Sequence, residues 1–143
     1  MSTLINEPKI DLACGGNKKE GFKGIDIAKT DSTDYVVDLQ CYPWPIESNS
    51  VEEIYCSHYI EHIPHDTAVK EALKEATTFE EFKRLYDEKS KLDGFIKFIN
   101  EIYRILKPGG TAKLIAPYYS SIRTIGDPTH IRPIGDSTFW YLN

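Results

Sequence analysis

A turn of small residues, Ala13-Cys14-Gly15-Gly16, follows a short apolar run near the amino terminus of the chain. Glycine has no Cβ, so the backbone N–H groups of such a turn can approach a bound ligand closely. The turn by itself does not distinguish a dinucleotide site, a site for another adenosyl ligand and a tight connection without a ligand.

Two aspartates favour a site for an adenosine-containing ligand over a tight connection without a ligand. Asp26 closes the apolar run Gly24-Ile25-Asp26-Ile27, where its carboxylate can accept hydrogen bonds from both ribose hydroxyls of an adenosine ligand. Asp38 closes the next run, where it can accept from an adenine amino group while the backbone of Leu39 offers a donor. Ligands of open α/β sheets bind at the carboxyl ends of the strands, so these positions should converge. The alternative is that each aspartate only caps a turn.

A second pattern, His58-Tyr59-Ile60-Glu61-His62, matches the HxxEH motif of inverted zinc proteases. In that motif two histidines one helical turn apart bind zinc, and the glutamate activates water. The placement is poor here, because the motif directly follows a predicted strand and Pro64 leaves little helix to hold the ligands. No downstream residue stands out as a third ligand, so no metal-binding residue is assigned.

The third polar cluster is Asp127-Pro128-Thr129-His130-Ile131-Arg132-Pro133. His130 could act as a base and Arg132 as a clamp for an anion. The alternative is a rigid loop, fixed by two prolines, whose polar groups bond one another. Tyr118 and Tyr119 could wall a substrate pocket or be ordinary half-buried aromatics.

The elements that would position these residues alternate between strands and helices, which predicts an α/β fold. Five strands are expected, at residues 9–13, 22–27, 35–39, 53–56 and 111–116. The clearest helix is residues 93–107, whose apolar side chains recur at three- and four-residue steps before Pro108-Gly109-Gly110 ends it.

A charged stretch at residues 66–92 is expected to be a helical insertion in two pieces. Thr78 and Glu81 form a plausible capping box for the second piece. The apolar side chains Phe79, Phe82, Leu85 and Tyr86 give that piece a face to bury.

Taken in order, five segments resemble the successive motifs of small class I methyltransferases that use S-adenosylmethionine (SAM): residues 10–18, 21–27, 37–39, 43–63 and 101–117. The resemblance implies a Rossmann-like, mostly parallel sheet with flanking helices. It also implies that the segment from Asp11 to Gly16 cradles the methionine part of SAM, that Asp26 holds the ribose and that Asp38 faces the adenine. The implied cofactor-binding residues are Asp11, Ala13, Cys14, Gly15, Gly16, Asp26, Ile27, Asp38, Leu39 and Ser57.

The same resemblance suggests roles outside the cofactor site. Ser57 and His58 would lie at the exit of the fourth strand beside the methyl group, with His58 as a general base or a positioning group. His130 is a second candidate catalytic residue, and Tyr118, Tyr119 and Arg132 are candidates for contact with the substrate.

The chain departs from the family at two places. Residues 14–22 are too few for an ordinary helical crossover, so the first helix should be reduced to one turn or a loop. The family has seven strands, but residues 118–143 are rich in turns, so the last two strands are expected to be missing. The fifth strand would then be an open sheet edge, which could pair with a second copy in a homodimer.

The resulting expectation is methyl transfer from SAM to a small or sugar-like acceptor, with S-adenosylhomocysteine as the product. The alternatives are a non-catalytic SAM-binding or assembly module, an oxidoreductase that uses a nicotinamide cofactor, and a zinc hydrolase that uses His58, Glu61 and His62. The turn Ala13-Cys14-Gly15-Gly16-Asn17 is a poor GxGxxG, which weighs against the nicotinamide alternative.

Length and composition set the outer bounds. The 143 residues fit one domain, and a net charge of −5 makes nucleic acid an improbable partner. No apolar stretch approaches the roughly 20 residues that a membrane span needs. Three cysteines without a CxxC pair favour a reducing, cytoplasmic compartment.

Overall fold

The computed structural model describes residues 3–142 and contains one sheet of five strands. The strand order is β3-β2-β1-β4-β5, and every neighbouring pair is parallel. This confirms the predicted α/β architecture with a parallel sheet. The strands are β1 (Lys9–Leu12), β2 (Lys23–Asp26), β3 (Tyr35–Val36), β4 (Val51–Ser57) and β5 (Leu106–Ile115).

Four α-helices accompany the sheet. They are α1 (Ala68–Glu75), α2 (Phe79–Lys89), α3 (Gly94–Ile105) and α4 (Ile122–Gly126), with short 3₁₀ turns at Ile60–His62 and Asp136–Phe139. Within the described residues, no helix combines the length and the apolar character that crossing a membrane requires.

The core lies between the sheet and α3. Ile10, Leu12 and Ile25 of the central strands are fully buried, and Phe98 of α3 packs edge-on against Trp44 with ring centroids 5.5 Å apart. Asp93 caps α3 by accepting a hydrogen bond from the N–H of Phe95 at 2.8 Å. The apolar face of α3 and the central strands therefore form one core.

The boundary between α3 and β5 differs from the prediction. The helix ends at Ile105 rather than at residue 107, and β5 begins at Leu106 rather than at Thr111. Val51 pairs with Leu106 while Glu53 pairs with Thr111, so the Pro-Gly-Gly segment forms an irregularity inside the strand. Pro108 and the glycines mark a bulge here and not a separate turn.

β3 is shorter than predicted. It ends at Val36, and the N–H of Val37 then donates to the carbonyl of Asp26 at 2.9 Å. Asp38 consequently lies two residues beyond the strand instead of closing it.

The connection from β1 to β2 contains no helix, as the short spacing predicts. The buried carboxylate of Asp11 holds this connection by accepting from the N–H of Lys19 at 2.7 Å. Burial raises the pKa of Asp11, although the Lys19 hydrogen bond opposes that change.

The charged stretch before α3 forms two helices, as predicted, but its packing differs. The hydroxyl of Thr78 caps α2 by accepting from the N–H of Glu81, whereas the Glu81 carboxylate bonds Thr77. Of the four apolar side chains expected on a buried face, Leu85 is buried and Phe79 is 71% exposed. The helix packs mainly against α1 and not against the sheet.

Residues 116–142 add no further strand, and β5 therefore forms one edge of the sheet. The segment instead folds back so that the N–H of Tyr119 donates to the carbonyl of Ile134 at 2.8 Å. Within the described residues, no strand follows β5, in agreement with the expectation that two strands would be missing there.

Candidate functional site

A cleft of about 450 Å³ opens at the carboxyl ends of β1 and β2 and beside the chain that leaves β3. Part of this space is open to solvent, and the enclosed part, about 160 Å³, is smaller than the range of about 300–1,000 Å³ that is usual for small-molecule sites. The cleft is lined by Ala13, Asp26, Ile27, Val37, Asp38, Leu39, Gln40, Tyr59 and Lys70. Ala13, Asp26, Ile27, Asp38 and Leu39 are residues that the sequence predicts for a cofactor site.

Asp26 joins the small-residue turn to the cleft. One carboxylate oxygen accepts from the N–H of Gly15 at 2.8 Å, and the other accepts from the N–H of Ala28 at 2.9 Å. Each oxygen has two acceptor positions, so each retains one for a ligand hydroxyl. The side chain is thereby fixed in orientation before a ligand arrives.

The turn contains left-handed backbone, which is strained at Ala13 and unstrained at Gly15. Ala13 and Gly15 have φ values of +55° and +58°, in the left-handed region. Open space surrounds the position that a Cβ would take at Gly15 and at Gly16. Backbone at both glycines is therefore accessible to a ligand beside the cleft.

Cys14 lies behind the turn. Its side chain is buried, with the sulfur 3.7 Å from the carbonyl oxygen of Ser32. Burial raises the pKa of this thiol, so it stays protonated and acts as a packing group.

Asp38 is held from two sides. Its carboxylate accepts from the N–H of Gln40 at 3.0 Å and pairs with the Lys70 ammonium at 2.7 Å. Burial would raise the pKa of Asp38, but the hydrogen bonds from Lys70 and Gln40 outweigh it and lower the pKa. The first helix of the charged stretch thus contributes a cation to the cleft.

Tyr59 forms another wall of the cleft. Its ring packs against Phe98, with centroids 5.8 Å apart, and its hydroxyl is buried without a hydrogen-bond partner in the structure. Burial raises the pKa of this phenol, so the group is neutral and can donate to a ligand.

Sequence reasoning missed four lining residues: Val37, Gln40, Tyr59 and Lys70. Val37 and Gln40 flank residues that it did assign, and Tyr59 stands inside the HxxEH pattern. No sequence pattern pointed to Lys70, because its position in the cleft depends on how α1 packs against the rest of the fold.

Five predicted cofactor residues lie outside the lining: Asp11, Cys14, Gly15, Gly16 and Ser57. Asp11 is buried beneath the turn, with its carboxylate on Lys19, and Ser57 is half-buried at the end of β4. Asp11 therefore supports the turn from below.

The two candidate catalytic histidines face a common neighbour. Glu61 is 1% exposed, and its Oε1 lies 3.5 Å from Nδ1 of His58 and 3.9 Å from Nε2 of both His62 and His130. His58 has a φ of +57°, and the 3₁₀ turn that follows it spans only three residues. The one-helical-turn spacing of two histidines in HxxEH is therefore not formed.

The candidate substrate residues lie apart from the cleft. Arg132 donates to Asp93 at 2.9 Å and to the carbonyl of Ile63, while its guanidinium lies over the Phe95 ring. Tyr118 lines a second cleft of about 480 Å³ together with residues 134–136. Tyr119 packs on Tyr118 with ring centroids 4.7 Å apart.

The arrangement offers fixed carboxylates, a short apolar wall and accessible backbone, which together can bind a nucleoside through its sugar hydroxyls and base. No family model, curated protein or solved structure matches this chain.

Proposed function

We propose that this protein is a SAM-dependent methyltransferase. The observation that carries the proposal is that Asp26, Asp38 and Ala13 line one cleft although they come from separate parts of the chain. Had these residues opened onto different surfaces, no adenosyl site would be possible.

The residues of the cleft fit an adenosyl group in three ways. Asp26 retains one acceptor position on each oxygen for the two ribose hydroxyls. Val37 and Leu39 offer an apolar surface for the adenine ring, and Asp38 offers an acceptor for its amino group. The backbone at Gly15 and Gly16 is open beside Asp26, where the methionine part would lie.

SAM supplies an electrophilic methyl group, so the protein must mainly align the acceptor and exclude water. His58, half of whose side chain is exposed beside buried Glu61, is the proposed base that removes a proton from the acceptor. We propose a small or sugar-like acceptor, because a net charge of −5 disfavours a polyanion. Three buried free cysteines are consistent with a reducing, cytoplasmic compartment.

Calorimetric titration with SAM and with S-adenosylhomocysteine tests the proposal. We expect dissociation constants in the micromolar range, which corresponds to roughly −8 kcal/mol. Asp26→Ala should weaken binding of both ligands at least tenfold, because the ribose loses its acceptors and Gly15 loses its partner. Asp31→Ala is the matched control, since Asp31 is exposed on the following loop and should leave the affinity unchanged.

Four results would contradict or limit the proposal. Failure of the wild-type protein to bind either ligand removes the cofactor, and equal affinity of the Asp26→Ala variant removes Asp26 from the site. Binding without methyl transfer to any member of a broad acceptor panel would favour a non-catalytic module. Binding of NAD in place of SAM would favour an oxidoreductase.

A further inference from the structure

The buried carboxylate of Glu61 has an unusual environment. Both of its oxygens are buried and lack a hydrogen-bond partner in the structure. Burying an ionised carboxylate is very costly unless a cation or hydrogen-bond donors compensate it. A carboxyl group in this position therefore needs either a proton or a cation beside it.

Two histidines point their Nε2 atoms toward this carboxylate. In both His62 and His130, Nε2 lies 3.9 Å from Oε1 of Glu61, and the two rings meet edge to face with centroids 4.6 Å apart. One ligand atom from each of Glu61, His62 and His130 lies within 4.8 Å of the others. Three potential metal ligands thus surround one small volume.

The opposite nitrogens of both rings are already committed. Nδ1 of His62 lies 3.1 Å from the carbonyl oxygen of Thr129, and Nδ1 of His130 lies 3.2 Å from the carbonyl oxygen of Thr124. A carbonyl oxygen can only accept, so these contacts favour the tautomer with the proton on Nδ1, which leaves the lone pair of Nε2 for a metal. Metal-binding histidines are commonly oriented by such a carbonyl partner.

The loop that carries His130 is anchored to the same glutamate. The N–H groups of Ile131 and Arg132 both donate to the main-chain carbonyl of Glu61 at 3.1 Å. This pair of bonds holds His130 over a residue almost 70 positions earlier in the chain. Main-chain hydrogen bonds therefore keep His130 close to Glu61 and His62.

From these contacts we propose that Glu61, His62 and His130 bind a divalent transition-metal ion of the zinc type. Two imidazoles and one carboxylate form a donor set that suits zinc, with ligand distances of about 2.0–2.2 Å. Two such ligands are about 3.4 Å apart in a tetrahedral site, so binding needs side-chain shifts on the order of 1 Å. Asp127, 3.4 Å from His130, is the candidate for a fourth ligand that leaves His58 free to act as a base.

This site differs from the HxxEH arrangement, in which both histidines come from one helix and the glutamate stays off the metal. Here the glutamate is a ligand and the second histidine comes from residues 127–133. The inference does not depend on SAM binding, because none of the three ligands lines the cleft.

The test is titration of the chelator-treated protein with Zn²⁺, followed by metal analysis and thermal melting. We expect one Zn²⁺ per chain and a melting temperature that rises with Zn²⁺ but not with Mg²⁺. Glu61→Gln and His130→Gln should each weaken Zn²⁺ binding at least tenfold. His65→Gln is the matched control, because His65 pairs with Asp93 outside the cluster and should leave the stoichiometry and affinity unchanged.

Glu61→Gln also tests whether the buried carboxylate is compensated by a metal ion or by a proton. The substitution keeps the shape and removes the buried charge, so the metal-free variant should melt at or above the temperature of the metal-free wild type. If it does not fold, the Zn²⁺ affinity of His130→Gln still tests the metal site. A wild-type protein that binds no Zn²⁺, or Zn²⁺ binding unchanged in both ligand variants, would overturn the proposal.

Discussion

Among the single residues of the cleft, Lys70 and Asp38 form an ion pair. The Lys70 side chain extends from α1 to the carboxylate of Asp38. The pair is partly exposed, with 46% of the Lys70 side chain open to solvent, and solvent screening keeps its contribution to stability below about 1 kcal/mol. Its main effect is to orient Asp38 toward the cleft.

The Asp38 pair makes stability depend on pH in a defined direction. The folded-state pKa of Asp38 is lowered from an ordinary value of 3.8. The contribution is therefore present above pH 3.8 and is lost as the pH falls through the folded-state pKa. Lys70→Met should lower the free energy of unfolding slightly at pH 7, and the difference from wild type should shrink as the pH falls below 3.8.

Urea denaturation at a series of pH values measures this difference. Lys74→Met is the control, because Lys74 is an exposed lysine on the same helix and should give a difference that does not change with pH. A Lys70→Met effect that grows toward acid would contradict the assignment of the ion pair.

At the scale of elements, β2 and the loop before β3 approach each other at Gly24. A Cβ built on Gly24 would lie 2.1 Å from the carbonyl oxygen of Ser32 and 2.8 Å from the sulfur of Cys14. The same glycine donates its N–H to Asp34 at 2.8 Å. The absence of a side chain therefore lets the loop close behind the small-residue turn.

We expect Gly24→Ala to lower the free energy of unfolding by about 1–3 kcal/mol, because the backbone of Ser32 must move away. Gly16→Ala is the control, since no atom lies within 4 Å of the position of its Cβ, and its effect should stay within about 0.5 kcal/mol. Chemical denaturation of both variants measures the difference. Equal stability of the two variants would contradict the close approach.

The sequence predicted the elements better than their ends. Strands and helices were found where apolar periodicity placed them, because the core of a parallel sheet leaves a strong signal. The errors came from tertiary pairing. Residues 106–110 belong to β5 because the strand begins to pair with β4 at Leu106. Nothing in the sequence of residues 37–39 indicated that β3 would end at Val36.

The candidate site was predictable to the same degree. Asp26 is the last residue of β2 and Asp38 lies shortly after β3, so both could be placed from sequence position, since strand ends meet at one edge of the sheet. The contributions of Lys70 from α1 and of His130 from the loop after α4 depend on packing between distant segments. No local pattern carries that information.

At the scale of the whole molecule, the outer edge of β5 is open. Several large apolar side chains of the segment that follows are also exposed, among them Ile122 at 83% and Trp140 at 69%. Against pairing, Lys113 lies on the strand and Pro108 lacks an N–H, and both features commonly protect edges. A homodimer through β5 stays a prediction.

Sedimentation velocity over a wide range of protein concentration tests this association. The expected result is a shift from monomer to dimer with concentration, and Thr111→Lys should move the shift to higher concentration by placing like charges on facing edges. Lys91→Ala, an exposed position on the chain before α3, serves as the control. Sedimentation as a monomer throughout would exclude a dimer that uses this edge.

The helix-free connection from β1 to β2 also bears on which nucleotides the cleft can accept. Dinucleotides place their pyrophosphate at the amino end of a helix, where several aligned N–H dipoles offset the negative charge. Here loop residues fastened by Asp11 follow the turn, and Asp26 already engages the N–H of Gly15. A diphosphate at the turn would face the carboxylates of Asp11 and Asp26 without the helix dipole that usually offsets its charge. A ligand with a positively charged sulfur in the same position would be attracted by these carboxylates.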